Sequence, residues 1–459
     1  MNFLLTAAAM FQTFSKAFLV SLGIYLLYRK MVAIYYNNEI NTQIRYGLEN
    51  VYRIFQVFVV GNLVIIMIFL GQAATASLFN LSPLILKIAQ AIASRNESIF
   101  FIFLGIFTAI GLPILLIMKQ RDKLFLIITF PFFLYIFLRV VNQKAELNFD
   151  FYKMELITGA IYILLILSLS VTHVKFDFFL LKSVLNVIVV TSTIIGLSSK
   201  SAVFTSVFDG GLGFTSRMQG ILASPTIYGF VTSLGCIIYG YEYLQKKGSL
   251  RLALALLFFS NTILTGSRGA LLVVALALAS YGLAGVHFAA VIAKKYLSFL
   301  MVLVFFTPIF VLQGISLLGF KEREVFYKIS KDFFSISNLV GVGPLSLTTK
   351  EFINSSYLHN QLLQVVVEYG IIGLMLFIFM FVLWRSKLVH LSLEVKRIVY
   401  PLLTWGALSL IGENPIRIHT PLYSFTTIIF IYIIKISTNA EGLFNLKPKI
   451  DTKKLEEIK

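Results

Sequence analysis

The feature that most constrains the fold of this chain is a succession of long apolar segments that runs through most of its 459 residues. A helix needs about 20 mostly apolar residues to cross a lipid bilayer. Because lipid offers no partner to backbone N–H and C=O groups, only helices and closed barrels can span it. These segments are continuously apolar and do not alternate, so they favour helices over barrel strands. We therefore expect an all-α integral membrane protein.

The apolar segments predict a polytopic bundle of about 12–13 transmembrane helices. We expect the spans near residues 6–28, 54–71, 99–118, 123–140, 154–172, 177–197, 226–244, 250–264, 269–286, 296–314, 361–384, 398–412 and 421–436. The charged fraction of 13% agrees with this class, because a soluble domain carries about 25%. Residues 1–436 are thus predicted to form one transmembrane domain, and residues 437–459 a charged tail.

The distribution of positive charge predicts how the bundle is oriented. More than half of the 39 Lys and Arg residues lie in alternate loops, and such loops face the cytoplasm by the positive-inside rule. The tail is then cytoplasmic. The opposite side carries a polar, Gly-rich loop at 198–225 and a large loop at 315–360. Charged cytoplasmic loops also account for the net charge of +18 without a nucleic-acid partner, so the expected surroundings are the lipid bilayer.

Two arginines on the predicted outer side stand out, because charged residues beside a lipid-embedded bundle are costly. Arg217 precedes Gly220 and Pro225, which shape a loop that enters the next span. A guanidinium held there suits an anionic group, since Arg pairs bidentately with phosphate; an Arg that snorkels to lipid headgroups is the alternative. Arg268 lies between two apolar runs, at a predicted helix start. A helix N-terminus favours an anion, so its own backbone offers the cation Arg268 no partner. An external anion would supply one and could also bind the backbone N–H groups.

A histidine is the third candidate on the outer side. His359 lies where the large loop enters the next span, and His can exchange a proton near neutral pH. A structural role is the alternative for a lone His. Glu368 falls inside the following apolar run, as a buried partner or an interhelical hydrogen-bonding group. Arg417 and His419 form a secondary cluster in a short outer loop.

The sequence lacks the motifs of several other classes of site. It contains no Gly-rich phosphate loop that ends in Lys-Ser/Thr, and no acidic cluster that would hold a divalent cation outside. Cys236 is the single cysteine, so an intrachain disulfide and a cysteine metal site are excluded. We therefore expect no metal, no cofactor and no ATP site of the protein's own.

Four short stretches together resemble the O-antigen polymerase and O-antigen ligase family of bacterial envelope glycosyltransferases. Their order and spacing agree with the family over about residues 200–384, as does the large loop before the last stretch. The multi-span architecture extends over the rest of the chain. The stretches are Arg217-Met-Gln-Gly220 with Ser224-Pro225, then Ser267-Arg268-Gly269, then Gly341-Val-Gly-Pro344, then His359-Asn360 followed by Gly370 and Gly373.

The resemblance implies a C-type glycosyltransferase fold that acts on glycans linked to undecaprenyl pyrophosphate, at the periplasmic face of the bacterial inner membrane. It implies that Arg217 and Arg268 hold the pyrophosphate. It also implies that His359, with Asn360 beside it, sits by the acceptor hydroxyl as a candidate general base. The chemistry is consistent, because a departing pyrophosphate needs charge stabilisation and a hydroxyl nucleophile needs a base. A chain-length regulator and a flippase are candidate partners.

Three functions are left open by these residues. The family contains polymerases, ligases and protein O-oligosaccharyltransferases, which share a donor and differ in acceptor. Leu374 follows Gly373, where many ligases have Thr, and it favours a polymerase that joins lipid-linked repeat units of O-antigen or capsule. A ligase that transfers the glycan to lipid A-core is the alternative. A lipid-linked glycan flippase or other transporter is the second alternative, for which polar groups near the membrane midplane are expected; only Lys182 and Glu368 fit that pattern.

Overall fold

The structure is a computed structural model, and within the residues that it describes the chain is mostly helical. It describes residues 49–50, 52–61, 122–141, 149–198, 204–209, 213–222, 224–283, 339–341, 343, 361–389, 391–412 and 421–444. The expected spans near 6–28, 99–118 and 296–314 lie outside these residues. So do most of the large loop at 315–360 and most of the tail.

Helices occupy each part of the described chain in which a span was expected. They are α1 (Tyr52–Gly61), α2 (Lys123–Val141), α3 (Phe149–Leu169), α4 (Val174–Ser198), α5 (Pro225–Lys246), α6 (Ser249–Leu264), α7 (Arg268–Leu283), α8 (Gln361–Val389), α9 (Leu393–Gly412), α10 (Pro421–Thr438) and α11 (Glu441–Phe444). Among the described helices, α2, α4 and α8 are long and apolar enough to cross a membrane. This confirms the expected class of a helical membrane protein.

Close packing between helices builds the core. Helix α5 packs along α6, α7 and α9, while α2 packs against α3 and α8, and α10 lies against α3 and α4. Gly235 of α5 faces the buried ring of Phe258 on α6, which any Cβ there would overlap. Such small residues let helices approach closely in lipid, where packing replaces the hydrophobic effect. The buried Trp405 indole donates a 2.7 Å hydrogen bond to the Phe230 carbonyl, which ties α9 to α5.

A buried polar network joins several helix ends at one end of the bundle. Gln56 Nε2 donates to Thr172 Oγ1 at 2.9 Å, and Thr172 Oγ1 donates to Asp177 Oδ1 at 2.7 Å. Lys435 Nζ, on α10, lies 3.2 Å from Asp122 Oδ2 at the start of α2. The starts of α2 and α4 therefore share a level with the ends of α3 and α10. The charge pattern likewise predicts that these four ends lie on one side of the membrane, and that this side is the cytoplasmic one stays a prediction.

The expectation of a loop at 198–225 was wrong in part, because the segment contains two strands. Strands β1 (Phe204–Asp209) and β2 (Gly213–Met218) pair antiparallel, with Phe204 opposite Met218. Aromatic and β-branched residues supply the strand propensity. A three-residue 3-10 turn (Gly220–Leu222) then leads to α5. The described part of the chain is thus a helical bundle that carries one β-hairpin.

Candidate functional site

The β-hairpin places Arg217 against the turn between α6 and α7. Arg217 lies on β2, opposite Thr205, and β2 contacts both α5 and α6. A Cβ placed on Gly266 would lie 3.3 Å from Arg217 Nε and 3.4 Å from Arg217 Cδ. The arm of the half-buried Arg217 therefore crosses this turn, two residues before Arg268. The two arginines selected from the sequence belong to one region of the fold.

Arg268 is the first residue of α7, and its side chain is exposed. Ser267 precedes it as the helix cap, because Ser267 Oγ accepts a 3.3 Å hydrogen bond from Ala270 N. Ser267 N in turn donates to Thr265 Oγ1 at 3.1 Å. The start of a helix carries partial positive charge. Arg217 and the helix start at Arg268 thus lie at the same turn, an arrangement that suits an anionic group.

The turn is fixed in place by its contact with the first part of α5. A Cβ on Gly229 would lie 2.9 Å from both Ser267 Cβ and Thr265 Oγ1. Below the turn, Thr262 Oγ1 donates to Thr232 Oγ1 at 2.9 Å. A residue larger than Gly at position 229 would push α5 and the turn apart, so the position of Arg268 depends on this close approach.

The residues that follow Arg217 have structural roles in the turn that leads to α5. Gly220 has a φ of +56, and a Cβ there would lie 2.8 Å from Ser192 Oγ. Tyr228 also packs against Gly220, and its hydroxyl donates to Asn261 Oδ1 at 2.8 Å. Ser224 caps α5, of which Pro225 is the first residue, a position that Pro favours. The first two family-like stretches are therefore parts of one packed unit.

Helix α8 is interrupted at Gly370, where φ is 67° and ψ is −163°. The break separates backbone groups from their usual partners in the helix. Gly343 N donates to Glu368 O at 2.9 Å, and Ile372 N donates to Leu339 O at 3.1 Å. Leu339 and Gly343 thus satisfy the two groups, as broken membrane helices require. Gly341 lies so close to the break that a Cβ would overlap the Glu368 carbonyl.

Two residues of α2 that were not predicted from the sequence as functional complete this contact. Arg139 Nη2 donates to the Gly341 carbonyl at 3.0 Å, and Tyr135 hydroxyl donates to the Tyr369 carbonyl at 3.0 Å. A signal for Arg139 was present, because it is a cation at the predicted outer end of a span and breaks the positive-inside rule as Arg268 does. The third and fourth family-like stretches therefore meet at a single break in α8.

Of the remaining candidate residues, the structure describes only Glu368. Glu368 lies in α8 just before the break, is 2% exposed, and accepts a hydrogen bond from Gln364 Nε2. His359 and Asn360 lie outside the described residues, directly before the first residue of α8. The secondary pair Arg417 and His419 also lies outside them.

The described part of the chain contains no group of three or more His, Cys, Asp or Glu side chains that could hold a metal ion. No family model, no curated protein and no solved structure matches the chain. Its function is therefore inferred from its own residues.

Proposed function

We propose that this protein is a membrane glycosyltransferase that transfers a glycan from undecaprenyl pyrophosphate onto another lipid-linked repeat unit, as a polysaccharide polymerase does. The observation that carries the proposal is the approach of Arg217 to the turn that begins α7 at Arg268. Two cations from segments that are 51 residues apart in the chain would then bind one pyrophosphate. The active site would face the periplasm, on the side to which the positive-inside rule assigns this end.

The proposed reaction needs only groups that the chain supplies. The acceptor hydroxyl oxygen forms a bond to the anomeric carbon, while the bond from that carbon to the pyrophosphate oxygen breaks. The hydroxyl proton passes to His359 as general base. The negative charge that develops on the departing pyrophosphate is stabilised by Arg217 and Arg268, as preorganised cations stabilise a transition state. Energy for the step is stored in the donor, so no nucleotide is required.

The break in α8 supports a role for His359 in this site. His359 lies two residues before α8, and the first part of that helix is held by hydrogen bonds from Gly343 N to the Glu368 carbonyl and from the Tyr135 hydroxyl to the Tyr369 carbonyl. A base must hold its position to within a fraction of an ångström, and rigid supporting contacts provide that. In this proposal, the glycines at 341, 343 and 370 position the base and do not touch the substrate.

A ligase would use the same arrangement with lipid A-core as the acceptor. A transporter is the less favoured function, because the in-span Lys182 is paired with Glu242 at 2.6 Å. That ion pair lies near the end of α5 and not at the middle of the described bundle. Charged groups on a transport path are expected nearer the midplane.

Single Ala substitutions of Arg217, Arg268 and His359 in a deletion strain test the proposal. Each variant should reach the membrane in normal amounts and leave single repeat units where the wild type makes long glycans. Loss of one oxyanion-stabilising group costs about 100-fold in rate. Arg251→Ala is the matched control, since Arg251 lies at the opposite end of α6 from the turn and should leave the glycan ladder unchanged.

The glycan pattern distinguishes the alternatives. Loss of long chains with single units retained on the core indicates a polymerase, and loss of all glycan from the core indicates a ligase. Lipid-linked units trapped on the cytoplasmic face indicate a transporter. A normal ladder in the Arg268→Ala strain, with the protein present in the membrane, would overturn the assigned role of Arg268.

A further inference from the structure

A groove opens at the end of the bundle opposite to the arginine turn. It lies between the start of α4, the end of α5, the start of α9 and α11, and it holds about 240 Å³. Its lining combines basic and apolar side chains. The residues that matter for its chemistry are Lys175, Lys182, Lys246, Glu242, Phe179 and Ile398.

The lining of the groove has an excess of positive charge. Among the described lining residues are three Lys and one carboxylate, so their formal charge is three minus one, or +2. The single carboxylate, Glu242, is already engaged: Lys182 Nζ lies 2.6 Å from its Oε1 and Arg251 Nε lies 4.0 Å from its Oε2. The described lining thus carries more cations than carboxylates, and it suits an anionic ligand.

The basic and apolar side chains of the groove lie at different distances from the helix ends. Lys175 lies in the first turn of α4 and Lys246 is the last residue of α5, so both mark the helix ends. Lys182 lies seven residues further along α4, about 10 Å deeper at 1.5 Å per residue. Between these levels, Phe179 projects outward with 64% of its surface exposed. Cations at the mouth and an apolar wall below them match the headgroup and chains of a lipid.

We propose that this groove binds a phospholipid with an anionic headgroup. The phosphate lies between Lys175 and Lys246 at the membrane surface, and an acyl chain lies along Phe179. Basic grooves between membrane helices are the kind of site that holds anionic headgroups. A free phosphate would use only the cations, whereas a phospholipid also places an acyl chain against the exposed phenyl face of Phe179, where close packing adds to binding.

The proposal is tested by lipid binding to the purified full-length protein in an uncharged detergent. Native mass spectrometry measures retention of phosphatidylglycerol against phosphatidylcholine with the same acyl chains. The wild type should retain phosphatidylglycerol preferentially. The double variant Lys175→Gln with Lys246→Gln should bind it about 30-fold less tightly, from the loss of two surface cations.

The matched control is the double variant Lys123→Gln with Lys387→Gln. It removes the same charge at the same end of the bundle, outside the lining of the groove, and should keep the preference. Phe179→Ala alters an exposed side chain and should weaken retention of long-chain lipid while the charge is unchanged. Circular dichroism confirms that each variant remains folded.

Three results would overturn the proposal. They are equal retention of the two lipids by the wild type, an equal loss in the control pair, and complete displacement of the lipid by millimolar inorganic phosphate, which would indicate a site for free anions. The readout does not depend on glycan transfer. Failure here therefore leaves the proposed transferase activity untouched, and the reverse also holds.

Discussion

Replacement of Gly341 by Ala should destabilise the break in α8, and its contacts set the size of the effect. Gly341 has a φ of +74, a left-handed conformation that costs a residue with a Cβ about 1–2 kcal/mol. The new Cβ would overlap the Glu368 carbonyl, so Gly341 and its neighbours Leu339 and Gly343 must move. That movement disrupts the two backbone hydrogen bonds that close the break, each worth about 1 kcal/mol. The free energy of unfolding should therefore fall by about 3–4 kcal/mol.

Unfolding of the purified protein in mixed micelles of neutral detergent and SDS measures this loss. Tryptophan fluorescence follows the reaction well, because Trp384 and Trp405, the two tryptophans of the chain, are both buried. Gly240→Ala is the matched control. A Cβ on Gly240 meets no atom within 4 Å, and Ala is favoured over Gly inside a helix by about 1 kcal/mol. The control should be neutral or slightly stabilising.

A double variant tests whether the loss arises at the break. Arg139→Ala removes the hydrogen bond to the Gly341 carbonyl, so both substitutions act on one contact. The double variant should then lose less stability than the sum of the two single losses. Strict additivity, or a Gly341→Ala protein as stable as the wild type, would refute the inference that Gly341 closes the break in α8.

Two further predictions concern buried polar groups. Tyr228→Phe removes the donor to Asn261 Oδ1, and because Asn261 is 2% exposed the loss should be about 1–3 kcal/mol in the same unfolding assay; an unchanged midpoint would show that water replaces the hydroxyl. Lys435→Met breaks the ion pair of a 3% exposed lysine with Asp122 and should cost about 3 kcal/mol. Asp122→Asn in the same chain should restore part of this, and a double variant less stable than Lys435→Met would contradict the pairing.

The helices could be predicted from the sequence because length and hydropathy alone define a span. The expected span at 123–140 corresponds to Lys123–Val141, although Pro131 lies inside it. Pro401 lies inside α9 in the same way. Proline does not end these helices, because neighbouring groups in a bundle satisfy the backbone that it leaves. The length of the apolar segment therefore predicted these helices better than the position of proline did.

The β-hairpin and the break in α8 could not be predicted from the same signals. The strands are six residues each and lie in a segment whose polar and glycine residues indicate a loop. The break depends on a backbone conformation at Gly370 and on partners from residues 339–343, so it is a tertiary contact and not a local preference. The approach of Arg217 to Gly266 is likewise long-range, and the charge rule could only place both residues on one side.

The broken turn of α8 also has a consequence for the order in which the membrane protein is assembled. Leu339 and Gly343 precede α8 in the chain. The ribosome therefore synthesises the Leu339 carbonyl and the Gly343 N–H, which bond to the broken turn, before it synthesises the turn itself. Arg139, 202 residues ahead of Gly341, is synthesised earlier still. A segment with two unpaired backbone groups would enter lipid unfavourably by itself. Helix α2 and the segment that contains Leu339 and Gly343 are already synthesised when α8 leaves the translocation channel. Helix α8 can therefore form these hydrogen bonds as it inserts.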